Sequence, residues 1–489
     1  MAQIHRNHFP LSTFFVIYLI PFALSRSSTY TDSMHYQELD VKSSMQKTKA
    51  IFNLSPQTIQ EEGVAETPSS ELSFTLHPRA AIVAPKEKDY AAVTKARLAR
   101  DSARVASLMT QHQLSLKNLT TMDLNPADTS FGSEKIQAPL TSGGNQGSGE
   151  YFTRVGVGRP VKQFYMVIDT GSDISWLQCK PCTECYEQSD PIFNPGSSTT
   201  YKSVGCSSEQ CNALRVSACQ ANSCLYQVSY GDGSYTVGDF ATESVTFGSA
   251  SAKSIPNVAI GCGHQNEGLF IGAAGLLGLG HGKLSFPTQI KTTSFSYCLV
   301  QRDSSASSTL DFNSAPPRDS VTVPLLRNPK INTFYYLPLA GLAVGGRPVS
   351  LPESVFAFDS SGYGGVIIDS GTAVTRLQTA AYNSLRDSFV KLSQHLPKSS
   401  SFALFDTCYD LSSMSSVRVP TVAFRFGGGK TVALHPKNYL IPVDSAGKYC
   451  FAFAPTSGSL AIIGNIQQQG TRVSYDLANN VVGFSPDKC

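Results

Sequence analysis

Charged side chains are scarce in this sequence: only 15% of its 489 residues are Asp, Glu, Lys or Arg, and the formal net charge is +3. A balance so close to neutral excludes classes of protein that need a strongly basic surface, so we expect neither nucleic acid nor an anionic membrane as a partner. Long apolar segments are lacking as well. Beyond the first 25 residues no stretch is long and apolar enough to span a bilayer, and stable membrane insertion is not expected.

The beginning of the chain resembles an export signal. Residues 1–10 are weakly basic, residues 11–24 form an apolar stretch of 14 residues, and Ala23–Ser25 supplies the small side chains of a cleavage site. A membrane anchor or a buried helix is the alternative, but the stretch is too short to span a bilayer comfortably. We therefore predict a signal peptide over residues 1–25. The protein is expected to be extracellular, with the endoplasmic reticulum or the vacuole as alternatives.

Cysteine is absent from the first 178 residues and then occurs twelve times, nine times from Cys179 to Cys298 and three times after them. In an exported chain an even cysteine count indicates disulfides. If the two groups belong to separate halves of the protein, both groups are odd in number, so full pairing needs at least one bond between the halves. Cys298 with Cys489 is the candidate for that bond, which leaves Cys408 with Cys450.

A metal site is the alternative for the first cysteines. Cys179, Cys182 and Cys185 have a spacing that zinc sites permit, with Cys206 as a fourth ligand. Disulfides are the simpler interpretation in an exported chain with an even cysteine count. We therefore expect neither a metal nor a cofactor.

Residues 26–148 differ in composition from the rest of the chain and are predicted to be a pro-segment and linker. The stretch from Lys88 is rich in Ala, Arg and Leu, which favours a helix. Its cations make it either an ordinary solvated helix or a pro-segment helix that approaches an acidic cleft. Apolar side chains trace one face of this helix, at Tyr90, Val93, Leu98, Val105, Leu108 and Met109. The cations are Lys95, Arg97, Arg100 and Arg104.

A linker follows this helix. Residues 125–150 are rich in Gly, Ser and Pro, which is typical of a segment exposed to processing enzymes, and we predict that the mature chain begins near residue 149. Both N-glycosylation sequons, at Asn53 and Asn118, precede this point.

From Glu150 onward, short β-favouring runs alternate with Gly, Asn, Asp and Pro turns, which indicates a mainly β fold with one short helix from Thr379. A weak repeat is also present. "VIDTGS" is followed by "GLLGLG" and "IIDSGT" by "AIIGNI", with Asp-to-Gly intervals of 109 and 95 residues (278 − 169 and 464 − 369). The repeat predicts two related lobes, residues 149–325 and 326–489, each bringing one Asp to a common seam.

The two repeated motifs each place an Asp, Asp169 or Asp369, at the end of an apolar run. One such motif alone is usually only a turn, whereas two matched copies are far more specific. Two carboxyl groups held together cannot both ionise cheaply, so they share a proton. One then acts as a base toward a bound water and the other as an acid, which suits the splitting of an amide without a metal.

The segments "DTGSD", "YGDGS", "DSGT" and "IIGN" resemble those of the pepsin-like aspartic endopeptidases, and the resemblance extends over about residues 150–489. The cysteine-rich stretch 179–224 is similar to the insert of the plant nepenthesin-type branch. This resemblance implies two β-barrel lobes related by a pseudo-twofold axis, with the active site in the cleft between them. It also implies protein or peptide substrates, and we expect a monomer.

By position, the resemblance implies that Asp169 and Asp369 are the catalytic pair. It further implies that the hydroxyl residues beside them support the site: Thr170 and Ser370 by joining the two active-site loops, and Ser172 and Thr372 by bonding the outer carboxylate oxygens. Ser370 stands where many relatives have Thr, and because the hydroxyl is kept only a small effect is expected.

The resemblance also implies a flap. Tyr230 matches the tyrosine that closes over the substrate, and Trp176, the only Trp, matches the residue that supports it. Core packing is the alternative role for Trp176. Asp232 stands where relatives often have Thr, which would alter side-chain preference or pH profile.

A pepsin-fold binding protein or inhibitor is the alternative function. Plant xylanase inhibitors share the fold but have a degraded catalytic apparatus. Here both Asp residues, their four hydroxyl neighbours and the flap tyrosine are present. The sequence therefore favours an active aspartic endopeptidase, made as a zymogen in the secretory pathway.

Overall fold

A computed structural model describes residues 35–53, 72–117, 150–230, 234–248, 253–268 and 270–489. The structure is mainly β, as the turn-rich sequence predicts. Its strands, in chain order, are β1 (Tyr36–Asp40), β2 (Ser73–Pro78), β3 (Tyr151–Val157), β4 (Lys162–Asp169), β5 (Trp176–Gln178), β6 (Lys202–Ser203), β7 (Ser217–Gln220), β8 (Ser223–Ser229), β9 (Tyr235–Thr246), β10 (Ser254–Glu267), β11 (Gly275–Gly278), β12 (Ser294–Cys298), β13 (Ser308–Phe312), β14 (Val321–Pro324), β15 (Leu339–Val344), β16 (Arg347–Pro348), β17 (Val366–Ile368), β18 (Thr375–Gln378), β19 (Lys398–Ser399), β20 (Cys408–Asp410), β21 (Ser416–Pro420), β22 (Val422–Phe426), β23 (Thr431–Ala433), β24 (Leu440–Pro442), β25 (Lys448–Phe451), β26 (Phe453–Thr456), β27 (Ala461–Ile463), β28 (Thr471–Asp476) and β29 (Val481–Pro486).

The α-helices are short apart from one in the predicted pro-segment and one in the second half. The helix expected from Thr379 is present and ends at Leu392, where the N–H of Ser393 bonds back to the carbonyls of Phe389 and Val390. The helices are α1 (Val41–Ala50), α2 (Arg79–Ile82), α3 (Tyr90–Leu116), α4 (Glu209–Asn212), α5 (Phe286–Gln289) and α6 (Thr379–Leu392). No helix among these is long and apolar enough to cross a membrane.

A 15-stranded sheet joins the two lobes. Its path runs β14-β29-β28-β12-β13-β2-β3-β4-β11-β5-β10-β9-β8-β7, with β6 attached to β9. The C-terminal strands β28 and β29 enter this sheet beside β12, where Ser294 pairs with Asp476 in an antiparallel ladder. Three four-stranded sheets, β16-β15-β22-β23, β17-β27-β18-β26 and β19-β20-β25-β24, build the rest of the second lobe.

Two strands of the predicted pro-segment belong to this architecture, although little strand alternation is visible there in the sequence. β2 lies between β3 and β13, pairing through Leu76 with Thr153 and with Ser308. β1 pairs with β21 at the other end of the molecule. Phe74 and Leu76 are fully buried in the main core. The alternation in β2 is only six residues long, which is why its apolar pattern is weak in the sequence.

All twelve cysteines form disulfides in the structure. Cys298 is bonded to Cys489 and Cys408 to Cys450, the two pairs expected from the cysteine count. The four other bonds lie within the first half: Cys179–Cys262, Cys182–Cys185, Cys206–Cys219 and Cys211–Cys224. The cysteines proposed as an alternative zinc set are therefore bonded to each other or to other cysteines.

Loss of the bond between the halves should destabilise the fold. We expect the variant with Ser at both Cys298 and Cys489 to lose about 2–4 kcal/mol of unfolding free energy, because a bond spanning 191 residues strongly restricts the unfolded chain. Urea unfolding followed by fluorescence measures this change. The matched control replaces Cys182 and Cys185, only three residues apart, and should lose less. Equal losses would show that loop closure is not what the long-range bond contributes.

Candidate active site

In each repeated motif the Asp lies at the carboxyl end of a buried strand. β4 ends at Asp169, and its neighbour β11 runs parallel to it, with Gly278 beside Asp169. In the second half, β17 leads into Asp369 and β27 runs parallel to it, with Ile463 beside Ile368. The segments "GLLGLG" and "AIIGNI" therefore occupy equivalent places next to the two Asp strands, as the internal repeat predicts.

The side chains of Asp169 and Asp369 are almost completely buried, with 1% and 0% of their surface exposed. The hydroxyl of Ser172 donates to Oδ2 of Asp169 at 2.5 Å, and the hydroxyl of Thr372 donates to Oδ2 of Asp369 at 2.6 Å. On the other oxygen, Oδ1, each Asp accepts a hydrogen bond from the N–H of the glycine two residues later, at 3.0 and 3.2 Å. Each carboxylate thus accepts hydrogen bonds from an equivalent set of donors, one hydroxyl group and one backbone N–H.

The two loops are joined by a reciprocal pair of hydrogen bonds. The N–H of Ser370 donates to Oγ1 of Thr170 at 2.9 Å, and the N–H of Thr170 donates to Oγ of Ser370 at 3.2 Å. The loops approach so closely that a Cβ added at Gly371 would lie 2.6 Å from Oδ1 of Asp169. Glycine is therefore required at this position for the two carboxylates to meet.

Two amide side chains that the sequence did not single out support the second loop. Nδ2 of Asn465 donates to the carbonyl of Ser370 at 2.9 Å, and Nε2 of Gln468 donates to the carbonyl of Asp369 at 3.2 Å. Asn465 follows the apolar-apolar-Gly segment directly, whereas Leu279 occupies the equivalent place in the first copy. The sequence therefore marked Asn465 through the segment "IIGN" and through this difference between the copies, but no pattern marked Gln468.

Tyr230, the predicted flap tyrosine, and Trp176 are in contact. Nε1 of Trp176 donates to the hydroxyl of Tyr230 at 3.0 Å, and both rings pack on Phe270 with centroids 5.1 Å away. Tyr230 directly follows β8 and donates a hydrogen bond through its N–H to the carbonyl of Ser234, which directly precedes β9. Trp176 is also fully buried, so it combines the packing role and the supporting contact. Asp232 lies outside the described residues.

Helix α3 carries a cation into this site. Nη2 of Arg104 lies 2.6 Å from Oδ1 of Asp169 and 3.6 Å from Oδ2 of Asp369, so both carboxylates are within reach of one nitrogen. The helix begins at a cap, where the side chain of Asp89 accepts a hydrogen bond from the N–H of Ala92. It is not a solvated helix: Val105 and Leu108 pack in an apolar cluster with Ile331, Phe334, Tyr336, Ile367, Leu460 and Ile462.

The other three cations of α3 differ in their contacts. Arg97 is buried and lies 2.7 Å from Oδ1 of Asp303, and Arg100 lies 3.5 Å from Glu150. Lys95 is exposed above the ring of Phe402, with its nitrogen 5.6 Å from the centroid. Of the six apolar residues expected on one face, five are buried and Met109 is partly buried. The predicted face is therefore correct, but it also contains buried charges.

The charge state of Asp169 follows from these contacts. Burial raises the pKa of this carboxyl to about 6, although Arg104 lowers it, and the neighbouring Asp369 raises it further. A carboxyl group that binds a proton near pH 6 beside a second carboxyl is suited to acid–base chemistry at mildly acidic pH.

Of the two glycosylation candidates, Asn53 is exposed at the end of a short 3-10 helix, whereas Asn118 lies outside the described residues.

Comparison with family models matches both halves of the chain. The model described as "Xylanase inhibitor N-terminal" matches residues 151–313, and that described as "Xylanase inhibitor C-terminal" matches residues 334–486. The crystal structure of edgp is similar in fold, with a TM-score of 0.59 at 20% identity, covering 69% of this chain and 91% of that one. These matches establish the bilobal pepsin-like fold.

Curated relatives are more similar in sequence. Aspartyl protease family protein 2 of Arabidopsis thaliana is 52% identical over 438 residues, covering 88% of this chain and 87% of that protein. Protein ASPARTIC PROTEASE IN GUARD CELL 2 of the same plant is 49% identical, covering 81% and 83%. Aspartic proteinase nepenthesin-1 of Nepenthes gracilis is 39% identical, covering 80% and 92%. The chain belongs to the plant pepsin-like aspartic proteases, a family of peptidases.

The hydroxyl of Thr170 should stabilise the junction between the two loops. Replacing Thr170 by Val leaves the buried N–H of Ser370 without its acceptor, and we expect a loss of about 1–3 kcal/mol in unfolding free energy. The control Thr170→Ser retains the hydroxyl and should remain close to the parent protein. Urea unfolding of the precursor measures both, and an unchanged midpoint for Thr170→Val would contradict the assigned role.

Proposed function

We propose that this protein is an aspartic endopeptidase that is made as a latent precursor in the secretory pathway and hydrolyses protein or peptide substrates held between its lobes. The observation that supports it best is the pair of buried carboxylates, Asp169 and Asp369, both within 3.6 Å of a single nitrogen of Arg104. Each keeps its own hydroxyl and amide donors, as a working acid–base pair requires.

In the proposed reaction the pair holds one proton and a water molecule. The ionised carboxylate takes a proton from the water as its oxygen attacks the scissile carbonyl carbon. The protonated carboxyl donates a hydrogen bond to the carbonyl oxygen. A proton then passes to the leaving nitrogen, the C–N bond breaks, and the pair returns to its shared-proton state. The Tyr230 hairpin would cover the substrate during these steps.

Latency is proposed to come from α3. In the precursor, the guanidinium group of Arg104 occupies the space beside Asp169 where the attacking water would be held. The helix is fixed on both sides of the cleft, through Arg97 to Asp303 and through Leu98, which packs against Ala373 and Val374. A substrate cannot enter while these contacts persist.

A secretory route fits the disulfide content. Six disulfides, including the one between the halves, form and persist only in an oxidising environment. We propose the extracellular space of the plant as the destination, with the endoplasmic reticulum and the vacuole as alternatives.

The carboxyl pair can be tested by amide substitution. Asp169→Asn and Asp369→Asn should each abolish cleavage of a denatured protein at acidic pH, because neither amide can exchange the proton. The acid-processed parent protein should be active and inhibited by pepstatin. As a control, Asp387→Asn changes an exposed carboxylate of α6 and should leave the rate unchanged.

Substantial turnover in either variant at the active site would refute the pair. If the parent itself shows no pepstatin-sensitive cleavage after processing, the binding-protein or inhibitor alternative is favoured instead.

Acid should release α3 from the cleft. The direction of this pH dependence follows from two carboxyl groups that contact the helix, Asp169 and Asp303. Below pH 6 Asp169, whose pKa burial raises to about 6, takes up a proton and its ion pair with Arg104 is lost. Burial raises the pKa of Asp303, but Arg97 and Arg302 lower it to a greater extent, so its net pKa is below the usual value. The helix lowers the pKa of Asp169 through Arg104 and that of Asp303 through Arg97, so each of these ion pairs stabilises helix binding while the carboxyl is ionised and loses this contribution as the pH falls.

We therefore expect the precursor to be latent at pH 7 and to gain activity as the pH falls from 6 toward 4. Arg104→Gln should move the midpoint of activation to higher pH, since the carboxyl pair no longer has a cationic partner. Lys95→Gln, which removes an exposed cation from the same helix, is the matched control and should leave the midpoint unchanged. Initial rates on a fluorogenic peptide across pH measure this; coincident curves for Arg104→Gln and the parent would contradict it.

A further inference from the structure

Helix α3 also carries an acidic group into the second lobe. Oδ1 of Asp101 accepts hydrogen bonds from the N–H of Ala373 at 2.6 Å and from the N–H of Val374 at 3.3 Å. Oδ2 of Asp101 lies 2.6 Å from Nη2 of Arg376. Both charged side chains are buried, each with 4% of its surface exposed. One carboxylate is thus bound by a guanidinium group and two backbone donors.

The three groups that bind this carboxylate all follow the second active-site loop. Ala373 comes four residues after Asp369, and Arg376 comes seven residues after it (373 − 369 and 376 − 369). Arg376 lies in β18, where it pairs with Ala454 on one side and Ile462 on the other. Arg376 therefore belongs to a sheet, and Ala373, which directly precedes its strand with Val374, is held through its carbonyl by the N–H of Ile466. We expect the three donors to keep this arrangement when α3 is absent.

Removal of α3 would leave a buried cation without its counterion. Among the residues that the structure describes, Asp101 is the only carboxylate within ion-pair distance of Arg376, whose Nη1 otherwise donates to the carbonyl of Val374 at 3.2 Å. A buried charge with no partner is strongly unfavourable. Two N–H groups and a guanidinium group that converge on one point are well suited to bind another carboxylate in place of Asp101.

The position of this site relative to the carboxyl pair follows from the helix. Asp101 precedes Arg104, which contacts Asp169, by three residues, or about 4.5 Å of helix rise. An extended substrate advances about 3.3–3.6 Å per residue. With the reach of the side chains included, the bound carboxylate corresponds to a substrate residue within about four positions of the scissile bond.

We propose that Arg376 and the N–H groups of Ala373 and Val374 form a carboxylate-binding subsite of the processed enzyme, which selects substrates with Asp or Glu within about four residues of the scissile bond. This inference rests on the proposed peptidase function. In the precursor, Asp101 occupies the subsite in place of the substrate carboxylate.

The test uses pairs of peptides that differ only by Glu or Gln, placed in turn at each of the four positions on either side of one scissile bond. For the acid-processed enzyme at pH 5.5, we expect kcat/KM to favour Glu by about tenfold or more at one position, as hydrogen bonds to charged groups are among the stronger ones. Arg376→Gln should lose this preference, with kcat/KM falling much further for the Glu peptide than for the Gln peptide. At pH 3 the parent's preference should shrink, because the free Glu carboxyl, with a pKa of about 4.3, is then protonated.

Two controls keep the result specific. Arg386→Gln removes another arginine of the same lobe, one whose partners Asp387 and Asp406 are far along the chain from the active-site loops, and should retain the Glu preference. Arg376→Lys keeps the charge but loses the planar guanidinium group that contacts both the carboxylate and the carbonyl of Val374, and it should show an intermediate preference. Titration with pepstatin counts the folded active sites, so a variant that folds poorly is not mistaken for one that has lost the preference.

The outcomes separate the two proposals. Cleavage of both peptides of every pair at equal rates by the parent would overturn the subsite and leave the peptidase function standing. Equal Glu preference in the parent and in Arg376→Lys and Arg376→Gln would also overturn it. No cleavage of any peptide by the parent would reject the peptidase function and, with it, the subsite.

Discussion

Two carboxyl groups buried side by side repel each other unless a proton or a cation lies between them, and the arrangement around Asp169 and Asp369 meets this requirement. Hydroxyl and backbone N–H donors bind the oxygens of each carboxylate. The reciprocal bonds between Thr170 and Ser370 hold the loops together against the repulsion. In this structure, Arg104 supplies the remaining positive charge. Each loop residue that contacts the pair therefore contributes to the same electrostatic balance.

The charges of α3 are complementary to the cleft that it fills. Arg104 faces the two acids, Asp101 faces Arg376, and Arg97 faces Asp303. The charges of these helix residues alternate in sign along one side of α3. Their spacings of three to four residues place the side chains on a common face. Leu98 and Leu108, which lie among them, pack in apolar clusters of the second lobe. A helix with all charges of one sign would leave either the carboxyl pair or Arg376 without a partner.

The sequence predicted those features that depend on residues adjacent in the chain. An apolar run followed by Asp, a hydroxyl residue and Gly is visible in a few letters, and its repetition predicted where Asp169 and Asp369 meet. The mainly β fold and the bilobal family architecture were likewise confirmed. The partnership of Asp101 with Arg376 was not predicted, because the two residues are 275 positions apart and neither stands in a distinctive pattern. The same holds for the strand β2, whose neighbours in the sheet come from distant parts of the chain.

The interior position of β2 has a consequence for the proposed maturation of the protein. The strand is bonded along both edges, to β3 and to β13, and its side chains belong to the main core. Cutting the chain ahead of Glu150 breaks one peptide bond but none of these ladders. In the proposed maturation, hydrolysis and departure of the leading segment would therefore be separate events, the first chemical and the second a local unfolding of the central sheet. A cut chain that still retains β2 would be a distinct, two-chain form of the molecule.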